Sequence, residues 1–157
     1  MAAKDVGKNS SMSRIEEYMN TRMVSRDFRA SVLDIAKTMV DWSISSVAIT
    51  DKNKKIVGIL TERDIVRIIA RGAFPDKINA GSLMSTSLVS ISKDLPVEEA
   101  ARLMAQTKVR HLLVEDPSNH GVIGIITVTD LARYVKQKMT TGEGEIAVMS
   151  EVWELFF

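Results

Sequence analysis

Two places in this chain put residue types at a spacing that could do chemistry: GILTERD at 58–64 and GIITVTD at 124–130. In each, an apolar run ends at a Thr and an Asp follows three residues later, giving Thr61 with Asp64 and Thr127 with Asp130. One reading is a capping box. The Thr hydroxyl would take up a free N–H of the first helical turn, and the Asp would reach back to the cap residue and complement the positive end of the helix dipole. The other reading is a ligand site, because a carboxylate accepts well from two vicinal sugar hydroxyls while helix N-terminal donors meet a phosphate. The two readings are compatible, and the motif alone leaves both open.

Other chemistry is not legible. No G-x-S-x-G elbow, P-loop or G-x-G-x-x-G occurs, and there is no Cys for thiol catalysis, disulfides or thiolate metal sites. The pair Glu98 and Glu99 falls at a helix start, where negative charge is favoured anyway. His111 has no second ligand at helical or hairpin spacing, and His120 falls in a turn, so neither metal nor catalytic cofactor is expected. The chain is therefore expected not to be an enzyme.

The elements that position these residues occur twice. Residues 65 apart match: Met19 with Met84, Thr21 with Thr86, Val24 with Val89, Val32 with Val97, Ala36 with Ala101, Met39 with Met104 and Asp51 with Asp116. One residue added in the next turn makes the spacing 66 for Gly58 with Gly124, Ile59 with Ile125, Thr61 with Thr127, Asp64 with Asp130 and Arg67 with Arg133. Each copy has an amphipathic start, IEEYM at 15–19 or SLM at 82–84. A short strand is then expected near Met23 to Ser25 or Leu88 to Ile91. Helical periodicity follows, in SVLDIAKTMVDW from Ser31 and PVEEAARLMAQ from Pro96, with Pro96 placed in a first turn that needs no N–H. Two β-branched runs flank a polar turn, and a second helix is expected from about Glu62 to Arg71 and from about Val128 to Lys138.

The fold class is thus α+β, two βαββα repeats. A three-stranded sheet with two helices on one face buries too little alone, so the repeats are expected to pair back to back as a pseudo-two-fold pair. The boundaries read as 1–12 a flexible N-terminus, 13–76 repeat 1, 77–139 repeat 2, and 140–157 a tail. Composition agrees with a globular protein: of 157 residues, 45% are hydrophobic, 26% charged and only 5% aromatic, so the core is aliphatic. A formal net charge of +1 gives no field for non-specific nucleic-acid binding, so nucleic acid is not an expected partner. No apolar run is long enough to span a bilayer, and the first residues lack the apolar core of a secretory signal. Together with the missing Cys, this sets the expectation of a cytoplasmic protein.

The pattern SSVAITDKNKKIVGILTERDIVR, echoed as RHLLVEDPSNHGVIGIITVTDLARY, resembles the CBS domain, named after cystathionine β-synthase and found also in IMP dehydrogenase and the gamma subunit of AMP-activated protein kinase. The resemblance covers roughly residues 15–138 and both copies. It implies a disc-shaped Bateman module with two quasi-equivalent clefts that take AMP, ADP, ATP or S-adenosylmethionine, whether or not Mg²⁺ accompanies the phosphate. Carried over residue by residue, Asp64 and Asp130 match the ribose-binding Asp, and Thr61 and Thr127 the hydroxyl residue beside it. Ser45 and Ser46, and Arg110 and His111, match positions lining the cleft. Val24, Ser87 and Val89 match those that sandwich adenine. With no Trp or Tyr there, aliphatic contacts and backbone hydrogen bonds would hold the base.

Copy two offers Lys108, Arg110 and His111 ahead of its central strand where copy one offers Ser43, Ser45 and Ser46. If Arg110 or His111 supplies a cation to phosphate, the cleft around Asp130 is the tighter phosphate site; the alternative is a solvated basic strand edge. The tail carries Trp153, Leu155, Phe156 and Phe157 close together, which reads either as a segment folded back or buried at a homodimer contact, or as a docking peptide. The expected function is a regulatory adenine-nucleotide sensor, homodimeric, acting on an unknown target. The alternative is a protein-interaction scaffold or nucleic-acid-associated regulator with weak or no nucleotide binding.

Overall fold

The structure is a computed structural model that describes residues 12–141; the C-terminal aromatic cluster lies outside the described residues. The first copy comprises β1 (Ser25–Asp27), α1 (Val32–Trp42), β2 (Ser46–Thr50), β3 (Ile56–Thr61) and α2 (Glu62–Ala70). After a four-residue α3 (Ala80–Leu83) the second comprises β4 (Ser90–Ser92), α4 (Val97–Thr107), β5 (His111–Asp116), β6 (Gly121–Thr127) and α5 (Val128–Thr141). The α+β class and the doubled βαββα order follow the sequence reading.

Each sheet has three strands in the order β1-β2-β3 or β4-β5-β6, the first pair parallel and the second antiparallel. The likeness extends to irregularities. A bulge falls at Ile49/Thr50 and again at Val114/Glu115. Both α1 and α4 end on a left-handed residue, Ser43 at φ 51° and Lys108 at φ 59°. In the first sheet, the apolar stripe of α1 (Val32, Ile35, Met39) and Ile65 and Ile68 of α2 pack with Val47, Ile49 and Leu60. Alternate strand residues thus face the helices, as the period of two requires.

Three local expectations shift. The first strands start later than the apolar residues indicate, at Ser25 and Ser90. Their extent is set by parallel register with β2 and β5, Ser25 opposite Ala48 and Ser90 opposite Leu113, and not by their own hydrophobicity. Pro96 stands at the N-cap of α4, outside its first turn, with ψ 148°. The last helix runs on to Thr141.

A larger difference concerns the amphipathic starts. The described residues divide into two compact units, one joining residues 12–21 to residues 90–141, the other spanning Arg22–Val89. The start of each copy is therefore built into the unit of the other copy. The reason is hydrogen bonding at helix ends and sheet edges, which must be satisfied by something. The first-turn N–H of α4 donates to the Ser13 carbonyl at 3.1 Å, and that of α1 to the Ile78 carbonyl at 2.8 Å. Asn20 bridges Ile125 of β6, and Ser85 bridges Ile59 of β3 in the same antiparallel manner. Each of these pairs matches its counterpart at the repeat spacing.

Two glycines make the exchange possible. A Cβ on Gly124 would sit 2.8 Å from the Asn20 carbonyl oxygen, and one on Gly58 would sit 2.6 Å from Cγ of Met84. The first obstacle is backbone and the second a flexible side chain able to change rotamer. Gly124→Ala is therefore expected to lower unfolding free energy by about 2 kcal/mol, within the range for overpacking, and Gly58→Ala by less. Urea unfolding midpoints of the two variants check this; a larger loss at Gly58 would show that the Asn20 bridge yields easily.

Candidate functional site

Both motifs form strand-to-helix corners, one in each unit. Thr61 ends β3 in extended conformation, φ −116° and ψ 162°, and is the N-cap of α2. Its N–H donates to Asp64 Oδ2 at 2.9 Å and its hydroxyl donates to the same oxygen at 2.6 Å. The Asp64 N–H in turn donates to Thr61 Oγ1 at 3.4 Å. In the second corner the Thr127 N–H and hydroxyl each donate to Asp130 Oδ2 at 2.8 Å. The capping box of the sequence reading is complete in the first corner, and in the second the Asp half of it is formed.

The cap leaves the other carboxylate oxygen turned elsewhere. Asp64 Oδ1 has Arg67 Nη1 at 3.6 Å, and Asp130 Oδ1 accepts from Arg133 Nη2 at 2.9 Å. The same Nη2 also donates to the Tyr18 carbonyl at 2.8 Å. The Asp130 side chain is 11% exposed and that of Asp64 18%. The sequence alignment pairs Arg67 with Arg133 but gives them no role. The signal was present in the three-residue spacing from Asp to Arg on a helix, which sets the two side chains on one face.

The expected cleft residues of the central strands converge on these corners. Ser46 lies opposite Thr61 in the β2–β3 register, and the Ser45 carbonyl accepts from the Glu62 N–H at 3.0 Å. His111 lies opposite Thr127, and the Arg110 carbonyl accepts from the Val128 N–H at 3.1 Å. So Ser45, Ser46, Thr61 and Asp64 share one corner, and Arg110, His111, Thr127 and Asp130 share the other. Val24 sits further along, its carbonyl accepting from the Ala48 N–H at 3.0 Å. Ser87 and Val89 lie on the segment between the Ser85 bridge and β4, Ser87 exposed and Val89 half-buried. Among the described residues, no group of three or more His, Cys, Asp or Glu side chains is arranged to hold a metal ion. No helix among them is long and apolar enough to cross a membrane.

A doubled α+β repeat whose every copy ends a strand on a Thr and opens a helix onto an Asp defines a class. The family model of the CBS domain matches residues 15–71 and 80–137, and the chain belongs to this family as a tandem pair. It is 32% identical over 122 residues to an uncharacterized protein of Methanopyrus kandleri, covering 77% of this chain and 62% of that one, so it spans less than two thirds of that relative's length. Among solved structures it resembles a conserved CBS domain protein of unknown function from Thermoplasma acidophilum, with TM-score 0.75 and 25% identity over 90% of this chain and 75% of that one. It also resembles the CBS domain pair of protein MJ0100 in complex with 5′-methylthioadenosine and S-adenosyl-L-methionine, with TM-score 0.71 and 24% identity over 81% and 98% of the two chains. A further likeness is to a CBS domain protein from Pyrobaculum aerophilum complexed with AMP, with TM-score 0.70 and 23% identity over 82% and 99%.

The cap has a measurable weight whatever else the corners do. Asp64→Ala and Asp130→Ala each remove the acceptor of two donors and are expected to lower unfolding free energy by about 1 kcal/mol. Asp130→Ala costs the more, because it also releases Arg133. Urea unfolding at unchanged m-value checks this, and no loss at either position would deny the carboxylates a capping role.

Proposed function

We propose that this chain is a regulatory module that binds an adenine nucleotide, AMP, ADP or ATP, and performs no catalysis itself. The observation that carries the reading is the duplicated corner, in which a Thr hydroxyl and a partly buried Asp meet the start of a helix at the end of a strand. A carboxylate has about four lone-pair positions, and the Thr donors use those of one oxygen. The second oxygen of Asp64 keeps its capacity for ribose hydroxyls, and that of Asp130 accepts from Arg133. Structures of the same fold carry AMP in one case and 5′-methylthioadenosine with S-adenosyl-L-methionine in another, which supports a ligand built on adenosine.

In this reading Asp64 and Asp130 take the ribose, Thr61 and Thr127 support it, and Ser45, Ser46, Arg110 and His111 line the approach. Val24, Ser87 and Val89 enclose the base. Ligand binding shifts a population, by an amount set by its differential affinity for two states of the module. The module works in the cytoplasm as a homodimer. Exposed apolar side chains on the first copy support the dimer: Val40 and Trp42 of α1, Val66 and Ile69 of α2, and Phe74 beyond it. At the matching positions the second copy has Ala105, Thr107, Ala132, Val135 and Thr140.

A thermal-shift panel of AMP, ADP, ATP, GTP and S-adenosylmethionine tests the ligand. A ligand at a hundred times its Kd stabilises by about 2.7 kcal/mol, worth roughly 5 to 10 °C for a chain of this size. Adenosine-based ligands are expected to raise the melting temperature and GTP not to; no shift with any of the five would remove the reading. For the dimer, the double substitution Val66→Glu and Ile69→Glu is expected to halve the mass seen by light scattering. A mass unaffected by the charges would place any dimer contact elsewhere.

A further inference from the structure

The two corners carry the same residues but leave their carboxylates in different states. In the second corner, Asp130 Oδ2 is taken by the two Thr127 donors and Oδ1 by Arg133. The guanidinium is held in place from the other side, since Nη2 also donates to the Tyr18 carbonyl at 2.8 Å. In the first corner, Arg67 stands at 3.6 Å from Asp64 Oδ1, beyond hydrogen-bonding distance. Leu83 occupies the position matching Tyr18 in the repeat alignment, and Arg67 makes no hydrogen bond to its carbonyl.

We propose that Arg133 is a latch on the second corner: it occupies the oxygen of Asp130 that a nucleoside hydroxyl would use, and the ligand must displace it to bind. This rests on the nucleotide reading above and adds a difference between the sites that the positive charge of Arg110 points away from. The cations ahead of β5 favour phosphate there, whereas the latch opposes the ribose. The contact is suited to being opened, because the Arg133 side chain is 61% exposed and its displaced guanidinium passes directly into water. The buried partner is Asp130, which would exchange one set of charge-assisted donors for another. Arg133 is a positioning residue in this account and contributes nothing to the ligand once displaced.

The test isolates the second corner by placing Arg133→Met in an Asp64→Ala background and titrating adenosine and AMP by calorimetry. Both ligands are expected to bind about two- to fivefold more tightly than in Asp64→Ala alone, the scale of an exposed ion pair. Damage to structure weakens binding, so a gain in affinity is a readout that a merely structural role would not produce. Arg133→Lys, which keeps a donor but loses the fork, is expected to fall between the two. Arg67→Met in an Asp130→Ala background is expected to change affinity less than about twofold, because no hydrogen bond is lost. Unchanged or weaker binding of both ligands by Arg133→Met overturns the latch. Weaker AMP with unaltered adenosine also overturns it, and makes Arg133 a phosphate partner instead. If neither ligand binds any variant or the unaltered protein, the nucleotide reading fails and takes the latch with it, whereas binding without tightening removes the latch alone.

Discussion

The shared acceptor at each strand-to-helix corner is the constraint on which the functional geometry depends. A strand that turns directly into a helix leaves the first N–H groups of that helix without partners. In the first corner the Glu62 N–H goes to the Ser45 carbonyl and the Asp64 N–H to Thr61 Oγ1. The Thr61 hydroxyl and N–H then close on one oxygen of Asp64. This closure fixes the Asp rotamer and brings the residue before β2 against the first turn of α2. A carboxylate that was free to rotate would offer a ligand no fixed geometry.

The corner in turn requires a close approach at the neighbouring strand. Gly58 and Gly124 sit three residues before the capping Thr, and each is covered by a segment from the start of the other copy. That covering pairs a strand whose edge would otherwise stand open, since β3 and β6 have one neighbour each within their sheets. Sheet edge, helix N-terminus and corner are therefore satisfied together, by residues distant in sequence. The cost is that neither copy is complete by itself: removing residues 12–21 strips the second copy of its edge partner and of the Ser13 carbonyl that caps α4.

What the sequence revealed and what it hid divide along the same line. The repeat spacing, the element order, both helices of each copy and the Thr–Asp corners were legible because they are local patterns of period, capping and strand alternation. The exact first strands were not, since Ser25–Asp27 and Ser90–Ser92 are chosen by register with partners more than twenty residues away. The exchange of starts was not legible either. IEEYM and SLM carry the amphipathic signal that marks them as packing segments, but a hydrophobic stripe names no partner. The arginines fell between: Arg67 and Arg133 align at the repeat spacing, yet only Arg133 is hydrogen-bonded to its Asp and to a backbone carbonyl, that of Tyr18, while Arg67 stands at 3.6 Å from Asp64.

The copies have also diverged in the layer beneath the corners. In the second unit Tyr18 donates to Gln137 at 2.9 Å and meets Tyr134 edge-on, with ring centroids 5.1 Å apart. Tyr134 donates to Glu98, and burial together with that carboxylate raises its hydroxyl above the usual tyrosine range. Tyr18, Tyr134 and Glu98 are matched in the first unit by Leu83, Ile68 and Leu33, none with a side-chain polar atom, and Gln137 is matched by Arg71. Hydrogen-bonded networks are directional where aliphatic contacts are not, so the start of the chain is held in one orientation in the second unit. Tyr18 joins both arrangements: its ring belongs to this network and its carbonyl to Arg133. Release of Arg133 would therefore act on a backbone segment three residues before the chain passes, at Thr21 and Arg22, from one unit to the other.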